Sequence, residues 1–109
     1  MTIPVVAGGL VFVTPGAADA VTCGQSWTNK DTTGGRAIYQ PKNGYTYPLH
    51  TGIYGDCRVT WWISDGEWNA YDCYRINSRL ESWTHVHVIG VEGWVWDDYL
   101  IDGGSTRPC

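Results

Sequence analysis

The chain has 109 residues, enough for one small domain, and carries a net charge of −4 with no run of like charge. Seven Trp, seven Tyr and one Phe make it 14% aromatic against only 17% charged, which excludes an intrinsically disordered segment. The lack of a clustered basic face excludes the electrostatic footprint of a nucleic-acid binder, or of a protein held on anionic lipid.

Residues 1–20 contain no Lys, Arg or His, and their apolar stretch, 3–13, is too short for the roughly 20 residues that span a bilayer. Pro15-Gly16 and then Ala18-Asp19-Ala20 follow, with small residues at −3 and −1 of a cleavage point. A secretory signal peptide removed after Ala20 is expected, although the usual basic start is missing. Residues 21–44 are rich in Gly, Thr, Asn and Lys and read as an N-terminal arm. From 45 to 109 short β-prone runs alternate with turn signals. Strands are predicted at 45–50, 59–63, 71–76 and 83–88, then at Trp94-Val95-Trp96 after a tight connection at 90–93. Alternation places Val59, Trp61 and Ile63 on one face of the second strand and Trp62 on the other. It places Thr84, Val86 and Val88 on one face of the fourth, and Trp83, His85 and His87 on the other. Asp97-Asp98-Tyr99-Leu100 reads as one helical turn capped by its acids.

Cys23, Cys57, Cys73 and Cys109 all follow the expected cleavage point and contain no CxxC pair, so zinc and thioredoxin-type spacings are absent. Two disulfides in an oxidising compartment are expected, because a domain this small buries too little surface to be comfortably stable alone. Of three possible pairings, Cys23–Cys109 would tie the ends and Cys57–Cys73 would join neighbouring strands; this is the expected set.

Leu49-His50-Thr51-Gly52, Val59…Ile63-Ser-Asp-Gly66, Trp83-Thr-His-Val86, Gly93-Trp94-Val95 and Tyr99-Leu100 occur in an order that resembles bacterial SH3-like domains over about half the chain. Ile53 and Asn69 depart from that pattern. The resemblance implies an all-β fold, a five-stranded, partly open SH3-like barrel, and a non-catalytic binding module for cell-wall peptides or proline-containing segments.

Fifteen aromatic rings exceed what a core of this size holds. Tyr54, Trp62, Trp83, Trp94, Trp96 and Tyr99 are therefore expected to line an exposed groove suited to a peptide. His85 and His87 could chelate a metal with His50 or Glu92 as third ligand, but the expectation is two solvated histidines, with no metal and no cofactor. Arg75 and Arg79 read as surface charges. Glu81, Arg79 and His85 could nominally serve a small secreted nuclease, yet no spacing enforces their convergence, and no GxSxG occurs. The expectation is a secreted, monomeric, non-catalytic module whose partner is cell-wall peptide or an extracellular protein. A secreted inhibitor or other interaction protein is the alternative, and a small hydrolase the more distant one.

Overall fold

The computed structural model describes residues 20–31, 34–36, 46–64, 67–88 and 90–109. The expected leader, apart from Ala20, and much of the arm beyond Asp31 lie outside the described residues. The chain is all-β: β1 (Gly34–Arg36), β2 (Thr46–His50), β3 (Val59–Ser64), β4 (Trp68–Ile76), β5 (Ser82–Val88) and β6 (Val91–Trp96), then a 3-10 turn, Asp97–Tyr99. All strand pairs are antiparallel in one sheet of order β1-β4-β5-β6-β2-β3. The five expected strands are present, but β4 begins at Trp68 rather than Tyr71, β6 begins at Val91, inside the connection expected at 90–93, and β1 adds a three-residue edge beside the start of β4. Among the described residues no ladder joins β3 to β1, so the sheet is open.

The alternation of β5 decides how the sheet is used. Val86 and Val88 turn to one face, where they meet Tyr47, Leu49, Ile63, Tyr71, Val95 and Leu100 in the main core. Trp83 and His85 turn to the other face, as expected, but that face is covered too. Loop residues Ile53, Tyr54 and Cys57 form a second buried cluster with Trp83 and Trp94, and Val21, Trp27, Trp96 and Cys109 pack against it. One sheet therefore supports two apolar layers, the second roofed by the chain's arm and tail.

Covalent links hold that roof down, in a pairing other than the expected one. The disulfides are Cys23–Cys57 and Cys73–Cys109, and no cysteine is free. Neither Cys23–Cys109 nor Cys57–Cys73 forms. Cys23 is drawn to the 51–57 loop, where the Gly24 amide donates to the Thr51 carbonyl. The tail runs along β4, with the Tyr74 amide donating to Arg107 and the Cys109 amide to Tyr74, which brings Cys109 to Cys73. Arg75, expected to be solvated, donates through Nε to the Ser26 carbonyl at 2.8 Å and anchors the arm.

The acids of the 3-10 turn do not cap it. Asp97 is buried instead and accepts hydrogen bonds from Ser82 Oγ and Thr84 Oγ1, both at 2.6 Å. Burial pushes its carboxyl above the ordinary carboxylate range, against the lowering influence of those hydroxyls. Gly104 lies against this group in the left-handed region (φ +87°), and an added Cβ would collide with Thr84 Oγ1 and the Asp97 carboxylate. Gly103 (φ +81°) faces open space. Gly103→Ala should thus cost only the backbone strain, about 1 kcal/mol. Gly104→Ala adds steric and polar disruption and should cost about 2–3 kcal/mol, lowering Tm by ~10 °C or more. Equal melting of the two variants would contradict the packing described.

Candidate functional site

The rings expected to form an open groove do not form one. Tyr54, Trp83 and Trp94 are only 5%, 3% and 2% exposed. The Tyr54 hydroxyl hydrogen bonds Ser78 Oγ at 2.8 Å, and the Arg79 guanidinium lies 5.1 Å above its ring. Trp83 meets His50 edge to face at 5.3 Å. Trp96 and Tyr99 are half-buried and pack edge to face at 5.3 Å, with Tyr99 also stacked on Tyr47. The physical reason is the second apolar layer: it consumes the rings that a bare barrel would leave outside. Of the expected set only Trp62 is well exposed, at 56%. Trp61, which shares its face of the strand with the buried Ile63, is 45% exposed. It pairs with Leu49 and shares the main-core side, but β3 ends the sheet and no described strand lies beyond it. Trp68, at the start of β4, is also exposed.

A different constellation gathers on the covered face. His85 and His87 are two apart on β5, and their ladder partners Trp94 and Glu92 stand opposite them on β6. The pairing of β4 with β5 slips between Tyr71 and Cys73, leaving Asp72 as the extra residue of a bulge. Bulges re-aim side chains, and here the Asp72 carboxylate sits between the two rings. Its Oδ2 lies 2.7 Å from Nδ1 of His85 and 2.7 Å from Nδ1 of His87. The Asp72 carbonyl, freed from the ladder, accepts the Lys30 and Asp31 amides at 2.8 and 2.7 Å. The bulge therefore fixes the arm and the carboxylate together. On the far side, Glu92 places one oxygen 3.3 Å from His85 Nε2 and the other 3.8 Å from His87 Nε2.

His85 is buried, not solvated, and its ring is clamped. Trp27 of the arm stacks on it at 4.1 Å and 12°, and Trp94 meets it edge to face at 5.0 Å. Burial pushes its pKa below the ordinary imidazole value, although Asp72 and Glu92 pull the other way. His87 is about two-fifths exposed and opens the cluster to solvent. Beside it, between the arm and β6, runs a cleft of about 290 Å³ whose lining includes Gln25, Trp27, Thr51, His85, Glu92 and Trp94.

His50 stands apart from the pair and donates through Nδ1 to the Cys57 carbonyl at 2.7 Å. Glu81, Arg79 and His85 go to separate partners: Glu81 accepts from Asn77 Nδ2, Arg79 pairs with Asp56 at 3.0 Å, and His85 joins Asp72. The residues that the sequence reading left out are Asp72 and Trp27. Alternation from an inward Tyr71 turns Asp72 toward the outer face, but only the strand register shows that His85 waits there.

No protein-family model, curated protein or solved structure matches the chain. What the structure defines is a class by architecture: an all-β domain with one antiparallel sheet and two disulfides. The disulfides are consistent with an extracellular protein. Among the described residues no helix is long and apolar enough to cross a membrane.

Proposed function

We propose that the chain is an exported, non-catalytic SH3-like binding module that takes an extended extracellular polypeptide, cell-wall peptide being the first class to test. The observation that carries this reading is the edge strand β3. Its sequence, Val-Thr-Trp-Trp-Ile-Ser, contains no charge and no proline, and exposes two adjacent indoles. Edge strands left unpaired are commonly blunted by such charges and prolines. An extended peptide laid along β3 would gain ladder hydrogen bonds, while Trp61 and Trp62, on opposite faces, grip its side chains from both sides. This moves the binding surface from the groove expected around Trp83 and Trp94 to the sheet edge.

Titration of purified cell-wall peptide into the oxidised protein tests the reading. Binding should weaken at least tenfold in a Trp61→Ala/Trp62→Ala variant, as for aromatic hot spots, with Tm changed little because both rings are exposed. Failure of the wild type to bind, or equal affinity in the variant, overturns it.

A further inference from the structure

We propose that Asp72, His85 and His87 form a binding site for a divalent transition-metal cation of the zinc class, with Glu92 as the carboxylate that orients both imidazoles. The proposal is independent of the β3 edge, since it concerns the arm-covered face.

Geometry supplies the ligand set. The three residues offer donor atoms that all lie within 4.8 Å of one another, two of them on buried side chains. Two come from the single strand β5 and the third from the bulge of its neighbour β4, so the backbone holds all three without a long loop. Two imidazoles and one carboxylate suit zinc, copper or nickel, and suit magnesium poorly, because Mg²⁺ prefers all-oxygen octahedral shells. The Oδ2–Nδ1 spacings of 2.7 Å are shorter than the ~3.3 Å between ligands of a tetrahedral ion with Zn–N of ~2.0–2.1 Å. Binding therefore asks both spacings to open by about half an ångström, which takes a shift of the Asp72 carboxylate away from the clamped His85 ring as well as movement of the exposed His87.

The hydrogen bonding is better satisfied with an ion than without one. Without an ion, an ionised Asp72 between two neutral rings would accept at Oδ2 from both Nδ1 atoms, each 2.7 Å away. Neutral rings in that tautomer turn Nε2 lone pairs toward the Glu92 carboxylate, acceptor against acceptor. With an ion on the two Nδ1 atoms and Asp72, the protons would sit on Nε2 and face Glu92, which lies 3.3 Å from that of His85 and would have to close from 3.8 Å on that of His87. Metal-bound histidines characteristically hand their second N–H to a carboxylate in this way, and losing that partner weakens metal binding roughly 10–100-fold. Trp27, stacked on His85 and tied to the body through the nearby Cys23–Cys57 bridge, limits ring rotation and excludes water from one side.

The test is calorimetric titration of zinc chloride into untagged, oxidised full chain previously stripped with EDTA. One zinc per chain should bind, and Tm should rise with added zinc. His87→Ala, at the exposed ligand, and Glu92→Gln should each weaken binding at least tenfold while melting like wild type in EDTA. Magnesium chloride should give no heat of binding. Absence of stoichiometric zinc binding, or affinity unchanged in both variants, overturns the site. Loss of binding in His87→Ala alone, with Glu92→Gln unchanged, would retain the ion and overturn the orienting role of Glu92.

Discussion

Reduction of both disulfides should unfold the domain, or lower its Tm by about 30 °C or more. Each bridge closes a loop of similar length, with sequence separations of 34 and 36. For loops of that size the chain-entropy model gives roughly 3–4 kcal/mol per bridge. Together they match much of the ~5–15 kcal/mol that holds a typical domain folded, and in a domain this small each kcal/mol is worth about 4–8 °C. The two bridges should differ in what they release. Cys23→Ser/Cys57→Ser frees the arm, so Trp27 leaves His85 and the second apolar layer loses its roof. Cys73→Ser/Cys109→Ser frees the tail from β4 and leaves Trp27 in place. Thermal unfolding of the oxidised protein and of protein whose full reduction has been verified by mass measures the whole effect, and an unchanged melt in the reduced protein would contradict it.

Trp94→Ala should cost about 3–5 kcal/mol, the range for truncating a large buried aromatic. A Trp on an exposed surface would cost less than about 0.5 kcal/mol when replaced, so the measurement separates the two placements sharply. Trp94 is almost wholly buried on β6 opposite His85, packed with Ile53, Tyr54, Cys57 and Trp83. Its removal leaves a cavity beneath the arm, and the His85 ring loses its edge contact. Denaturant unfolding gives the number, and a loss below ~1 kcal/mol would show that the second layer contributes little. Trp94→Phe should recover part of the stability by refilling some of that volume.

The strands were legible because their cues are local. The alternation through Trp83-Thr84-His85-Val86-His87-Val88 with a turn beyond it gives both the strand and its two faces, and β5 follows it. The cover over the outer face was not legible, because nothing periodic in residues 20–31 announces packing. That packing draws on Cys23, Trp27 and the Lys30 and Asp31 amides among other contacts, and each of these four meets a partner more than thirty positions away. Disulfide pairing failed for the same reason: even a correct list of strands leaves open which loop the arm reaches. Asp72 escaped because a bulge is a property of register between two strands, and neither strand alone encodes it. Counting aromatic rings against the volume of a single core overlooked that both faces of one sheet can be dry.

The order of the bridges along the chain carries its own consequence. First cysteine joins second and third joins fourth, so along the chain the molecule carries two covalent rings placed end to end, neither nested inside nor interleaved with the other. Each ring can be closed by an oxidant without waiting for the other. Between the rings, residues 58–72 are a single uncrosslinked stretch of polypeptide. A peptidase cut anywhere within either ring leaves one covalent molecule, whereas a cut in that linker leaves two pieces held together by noncovalent contacts alone, the sheet and the arm's packing on β4 and β5 among them.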